Sequence, residues 1–195
     1  MKIVIATNNQ GKVREFKQML EPLGYEPVSL RDEGIEIDIS EDGETFAENA
    51  HIKAQAIYEI CHCPVLADDS GLEIEFLGGA PGIYSARYAG EDATDEERCN
   101  KILSELEGVD ESLRSARFVC ALYCILDDER EYSVLGTFSG FIGNEPMGEN
   151  GFGYDPIFMV DEKTSVAMLD DEEKNKISHR AEALRKLAEI LKENA

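Results

Sequence analysis

Apolar and polar positions in this chain follow two periods, and the period changes many times. Residues 2–6 form a continuous apolar run of β type. Asn8, Asn9 and Gly11 break it. Val13, Phe16, Met19 and Leu20 then fall at helical spacing, which predicts a helix over 12–20. Ile35–Ile39 is another β-type run. Thr45-Phe46-Ala47-Glu48 has the form of a capping box. A helix should therefore open at Phe46 and run to about Cys61, with Ala50, Ala54 and Ile57 on its buried face. Pro64 closes that region. Pro64-Val65-Leu66-Ala67 predicts a strand that delivers Asp68 and Asp69 at its end. A turn at Ser70-Gly71 and a further strand over 72–77 should follow.

The second half reads the same way. Gly78-Gly79-Ala80-Pro81-Gly82 is a loop of permissive backbone. Thr94-Asp95-Glu96-Glu97 is a second capping box, whose helix should run to about Leu106 and stop at Gly108. Residues 116–126 and 131–138 predict a hairpin turning at Asp127-Asp128. Gly140 to Gly153 reads as glycine-rich loop with a short strand, and Tyr154 to Val160 as another strand. A last helix should span about Ser178 to Glu193, with Ala181, Leu184, Leu187, Ala188 and Leu191 on one stripe. Strands and helices in this order predict an α/β domain with some antiparallel pairing.

Composition narrows the class. The 195 residues suit one domain, 1–195, without internal repeat or linker. No apolar run approaches the ~20 residues of a membrane span. The short apolar start does not make a signal peptide. Five cysteines fit a reducing compartment, so the expected location is cytoplasmic. Cys61-His62-Cys63 has no second ligand pair at zinc spacing, and no metal is assigned to it. The charge of −22 argues against nucleic acid as a partner. A small anion is not excluded, because screening acts over about 8 Å and local cations can outweigh the global field.

Candidate chemistry clusters at a few places. Asp68 and Asp69 are adjacent, so in an extended chain they point to opposite faces. One can face a pocket, as a proton acceptor or cation ligand, while the other holds a turn. Glu41 lies between the Ile35–Ile39 run and the Thr45 cap, where it can complete a cation site with Asp69; Asp42 is beside it. Thr7-Asn8-Asn9-Gln10-Gly11-Lys12 places a hydroxyl, amides and an ammonium at a helix start, which suits phosphate. Lys53, two turns into the next helix, reads as a solvated lysine on spacing alone. Phe152, Gly153, Tyr154 and Asp155 bring aromatics, a glycine and an acid together, and the rings could stack on a planar ligand. Lys174, Ser178, His179 and Arg180 gather at the start of the last helix. Two cations there require a compensating anion or acceptor.

In this order the motifs resemble a known family, the Ham1-like inosine triphosphate pyrophosphatases that act on non-canonical purine nucleotides. The resemblance spans nearly the whole chain. It is carried by Thr7 to Lys12, Thr45-Phe46-Ala47-Glu48-Asn49-Ala50, Ala67 to Leu72, Gly78 to Tyr88, Gly151 to Phe158, and Ser178-His179-Arg180. It implies a two-lobed fold with a mixed twisted sheet flanked by helices and an active-site cleft between lobes. It also implies a homodimer and a Mg²⁺-dependent cleavage of ITP, dITP or XTP at the α–β bond, giving monophosphate and pyrophosphate. By the same resemblance Asp69 is the general base or a ligand orienting water, and Glu41 a metal ligand, with the choice between Glu41 and Asp42 open. Thr7–Lys12, Lys53 and Ser70 would hold phosphates; Phe152–Asp155, Lys174, His179 and Arg180 would surround the base. Two alternatives remain: a nucleotide pyrophosphatase of other base preference, and a non-catalytic nucleotide-binding module. The paired acids argue against the second.

Overall fold

The backbone of this protein, in a computed structural model that describes residues 1–193, is organised by one mixed six-stranded sheet. Its strands are β1 (Lys2–Ile5), β2 (Glu26–Ser29), β3 (Val65–Ile74), β4 (Ser115–Asp127), β5 (Arg130–Ile142) and β6 (Phe158–Met159). They lie in the order β2-β1-β3-β4-β5-β6. β1 runs parallel to both β2 and β3, and β5 antiparallel to β6. The helices are α1 (Gln10–Leu20), α2 (Phe46–Cys61), α3 (Asp95–Glu105), α4 (Asp171–Ile177) and α5 (His179–Glu193). None of the described helices is long and apolar enough to cross a membrane. The fold class is α/β.

By its internal contacts the chain forms two compact units. The first comprises residues 1–69, 120–136 and the described part of 180–195; the second comprises 70–119 and 137–179. The first unit has apolar packing on both sheet faces. Ile3, Ile5 and Leu66 join Phe16, Leu20, Leu184 and Leu187 in one cluster. Val4, Ala6, Val65 and Ala67 join Ala54 and Ile57 in another. Alternate strand residues therefore face different helices, which is why β1 is apolar at successive positions rather than alternating. The second unit packs Leu72, Ile74, Ile102, Leu106, Phe118, Tyr154 and Phe158 into one core.

Local chemistry sets the helix starts. Asn9 caps α1, its side chain accepting from Lys12 N–H, and Thr94 and Glu97 form a reciprocal box on α3. The α2 cap differs from the expected box. Thr45 accepts from Glu48 N–H at 3.2 Å, but the Glu48 carboxylate accepts from Glu44 N–H at 2.7 Å, one residue earlier than the box requires.

Several sequence expectations are corrected. There is no turn after Asp69: β3 continues through Asp68, Asp69, Ser70 and Gly71 to Ile74 as one strand, and a 3-10 turn follows at Glu75–Leu77. Asp and Gly disfavour strands only weakly against tertiary pairing, and here β3 lies between β1 and β4. Ile35–Ile39 is not a strand; Ile35, Ile37 and Ile39 instead pack against one of the first-unit clusters. Tyr154 to Val160 is mostly a 3-10 turn at Asp155–Ile157, with β6 limited to Phe158–Met159. Pro156 lacks the N–H that a longer strand would need. α4 has no counterpart in the sequence expectations, and β5 extends to Ile142, past Gly140.

Candidate active site

In the first unit, charged side chains from α1, α2, β3, α5 and the 40–44 loop converge. The Thr7–Lys12 loop leaves the end of β1 and opens α1. It is braced by its own side chains, with Asn9 N–H donating to Thr7 Oγ1 (3.2 Å) and Gln10 Nε2 to the Asn8 carbonyl (3.3 Å). The first turn of α1 contains no acid. That leaves its N-terminal N–H groups and dipole suited to an anion.

Asp68 and Asp69 do opposite things, as neighbours in a strand must. Asp68 is buried and held by cations: Lys12 Nζ lies 2.8 Å from its Oδ2, and Arg180 Nε lies 3.8 Å away. Burial pushes its carboxyl pKa up, but Lys12, Arg180 and Lys53 overcome this and hold it well below the usual range. Asp69 faces the other group. Asn49 Nδ2 donates to its Oδ2 at 3.1 Å, and Lys53 Nζ is 3.5 Å from its Oδ1. Lys53 also reaches Glu41 Oε1 at 3.1 Å. Burial raises the Asp69 pKa, the Glu41 carboxylate adds to the rise, and Lys53 and Lys12 do not cancel it. A buried acid with a raised pKa that shares a lysine with another carboxylate is a candidate for proton or cation chemistry.

Lys53 is not a solvated lysine. It is 8% exposed. Burial lowers its pKa, yet Asp69, Asp68 and Glu41 more than reverse this and leave it raised. Of the two neighbouring loop acids, Glu41 reaches this cluster, whereas Asp42 accepts from Ser40 Oγ at 2.8 Å. Arg180 belongs to the same unit. It is almost wholly buried, it pairs with the Glu15 carboxylate, and its guanidinium lies 5.9 Å from the Phe16 ring centroid. Burial lowers its pKa, and Glu15 and Asp68 raise it further than burial lowers it. These two acids supply the compensation that a cation at a helix start requires.

The second unit carries a smaller group. Lys174 Nζ donates to Asp155 Oδ2 at 2.6 Å, and the same oxygen accepts from Phe152 N–H at 3.0 Å. The ammonium sits 4.6 Å from the Phe152 ring centroid. Gly151 has φ +76°, and a Cβ there would collide with the Asp155 carboxylate, so this corner accepts only glycine. Gly153 N–H donates to Asp95 Oδ2 (2.7 Å), and Tyr154 Oη donates to the Ser85 carbonyl (2.7 Å). His179 stacks on Phe118, with centroids 4.9 Å apart. Lys176 is exposed and pairs with Glu172, so Lys174 is the lysine of the group. Ser70 lies in β3 and is partly buried.

Among the described residues, no three His, Cys, Asp or Glu side chains gather into a ready metal site. Glu41 and Asp69 nevertheless present hard carboxylate oxygens around one ammonium. Mg²⁺ is commonly held by one or two carboxylates together with substrate phosphates, and this donor set fits it. Sequence reasoning did not name Glu15, and it named Asn49 and Asp95 only within helix-start motifs, with no role in a site. For Glu15 the available signal was the need of Arg180 for an acid, but not which acid.

The family model described as the Ham1 family matches residues 3–190. The dITP/XTP pyrophosphatase of Bacillus licheniformis is 54% identical over 190 residues, covering 97% of each chain. That of Bacillus subtilis is 52% identical over 189 residues, covering 96% of each. Among solved structures, the Staphylococcus aureus Ham1 protein superposes with a TM-score of 0.87 at 42% identity, with 100% of both chains covered. A HAM1 protein from Coxiella burnetii gives 0.87 at 43%, with 99% of both covered.

Proposed function

The chain belongs to the Ham1 family, and on that premise we propose that it is a dITP/XTP pyrophosphatase. It hydrolyses non-canonical purine nucleoside triphosphates, dITP, XTP and ITP, at the α–β bond, releasing the monophosphate and pyrophosphate. This removes unwanted bases from the nucleotide pool. The observation that supports it most is the Glu41–Lys53–Asp69 cluster, with Asn49 on the second oxygen of Asp69. A bound Mg²⁺ would neutralise phosphate charge as the bond breaks. Glu41 and Asp69 would hold it. Asp69 accepts a proton from, or orients, the attacking water. Lys12, Lys53, Ser70 and the N–H groups at the start of α1 clamp phosphate oxygens.

In the second unit, Phe152 offers a face to the base, and Lys174 donates to a 6-keto oxygen. Asp155 fixes the ammonium in place and balances its charge, so the group as a whole is neutral and suits an uncharged purine. An amino group at the same position of adenine cannot accept this bond. Gly153, Tyr154 and His179 shape the pocket. Arg180, buried on Glu15 and Asp68, acts from behind by holding the acids rather than by reaching the base itself. The protein works as a cytoplasmic homodimer on small nucleotides, without nucleic acid or membrane.

The test is product analysis. With dITP, XTP or ITP and Mg²⁺, phosphorus NMR should show pyrophosphate and monophosphate in equal amounts. Orthophosphate with a nucleoside diphosphate would refute the reaction, and a preference for pyrimidine or modified nucleotides in a wider panel would refute the base assignment.

A further inference from the structure

Asn49 is 1% exposed, and its amide is engaged at both ends. Oδ1 accepts from Gly43 N–H at 2.9 Å, and Nδ2 donates to Asp69 Oδ2 at 3.1 Å. Chemistry fixes this orientation. A backbone N–H only donates, so the amide oxygen must face Gly43 and the NH₂ must face the carboxylate. We propose that Asn49 is a positioning residue for hydrolysis, its single amide setting both the Asp69 carboxylate and the loop that carries Glu41. This rests on the roles given to Asp69 and Glu41 above.

The surrounding geometry supports it. Asn49 and Lys53 stand four residues apart on α2, hence on one face. That face grips both oxygens of Asp69, Asn49 taking Oδ2 and Lys53 taking Oδ1. The same two side chains grip the loop, at Gly43 and at Glu41. So two bridges run from β3 through α2 to the loop. One is charged, through an ammonium that an arriving cation or phosphate must displace or share. The other is neutral and has no reason to break when charges enter. The loop is built to lie against Asn49: a Cβ on Gly43 would stand 2.7 Å from Asn49 Oδ1 and 2.8 Å from Glu48 Cβ. Glu44 N–H is bonded to Glu48 in addition. Partners that orient metal-binding carboxylates typically matter by about 10–100-fold in affinity or activity.

Two variants separate the two halves of the amide. Asn49→Asp keeps an oxygen for Gly43 N–H but replaces the donor facing Asp69 by an acid oxygen. Asn49→Leu removes both contacts without adding charge. Hydrogen exchange at the Gly43 amide reads the loop contact without any nucleotide. Steady-state kinetics with dITP and Mg²⁺ read the Asp69 contact. We expect Gly43 to remain protected in N49D and to exchange faster in N49L. The kcat should fall by about 10–100-fold in both, while KM rises mainly in N49L. Unchanged Gly43 exchange in N49L, or unchanged kcat in either variant, would overturn the proposal. A loss that tracks only the folded fraction measured by circular dichroism would also overturn it, since a structural role alone explains that. If the wild-type protein hydrolysed no nucleotide, the functional reading would fail, while the Gly43 exchange result would still decide the loop contact.

Discussion

The charged groups of the two units are built on different plans. In the first, Lys12 and Arg180 face Asp68 and Arg180 also faces Glu15, while Lys53 lies between Glu41 and Asp69, so two carboxylates share one ammonium. In the second, Lys174 meets Asp155 and the pair is balanced. The difference matches two kinds of ligand. Two carboxylates that share one lysine present hard oxygens to a cation. A balanced pair beside an aromatic ring has no net charge to offer and directs a neutral, planar group by hydrogen bonding. Lone buried charges would be too costly in either unit, and each plan avoids them by pairing.

The sharpest way to break this comparison is Asp69→Asn. The change is nearly isosteric and removes one of the two carboxylates that share Lys53. Positioned acid–base groups contribute about 10²–10⁴-fold, so kcat for dITP should drop by at least that order while circular dichroism stays native. Turnover close to wild type would mean that the first-unit cluster is structural and that the contrast between the units carries no function.

Glu15→Gln tests the buried end of the same cluster. It leaves the Arg180 guanidinium with Asp68 but without its main carboxylate. Breaking a buried pair on one side typically costs about 3–5 kcal/mol. Urea denaturation should show a loss toward the lower end of that range, because Asp68 remains. No measurable loss would mean that Arg180 is not held by this pair.

Lys174→Ala tests the second unit. A charge-assisted hydrogen bond contributes about 1.5–3 kcal/mol. The KM for dITP should therefore rise by roughly 10–100-fold, and the preference for dITP over dATP should shrink with it. If KM rose equally for both nucleotides, Lys174 would be a phosphate clamp, and the division of labour between the units would be wrong.

How much of this was legible in the sequence follows the range of the interactions. The α2 start at Thr45, the α3 start at Thr94 and the stripe of α5 depend on neighbours within a turn, and they stand where the periodicity placed them. The continuity of β3 through Asp68-Asp69-Ser70-Gly71 did not, because turn-forming residues there are overruled by its place between β1 and β4. The motifs named acids and lysines that the structure brings into contact, but not their pairing. One of Asp68 and Asp69 was expected to hold a turn; neither does, and Asp68 is a buried counter-ion. Lys53 looked solvated and is buried between two acids. Arg180 meets Glu15 across 165 residues of sequence, a contact that no spacing encodes.

The finest test lies within one strand. Asp68 and Asp69 are adjacent, yet their pKa values shift in opposite directions from the ordinary 3.8. For Asp68, lowered in the folded state by Lys12 and Arg180 against burial, the ionised form favours folding. That stability is fully present above the unfolded value and is lost as pH falls through the folded one. For Asp69, raised mainly by burial, the sign reverses. As pH rises past 3.8 the unfolded state ionises first, so stability falls until the folded pKa is passed and is flat beyond it. Without added metal, Asp68→Asn should therefore lower the urea midpoint at neutral pH and flatten its fall in acid. Asp69→Asn should raise the neutral midpoint and leave the fall in acid standing. The two curves against pH should diverge most at neutrality and approach each other in acid, where both carboxyls are protonated in every state. Added Mg²⁺ should stabilise the wild type more than Asp69→Asn, since only the wild type keeps both carboxylates proposed to hold it. If both variants shifted the midpoint the same way, the strand would not be dividing its two acids between a locked counter-ion and a poised one.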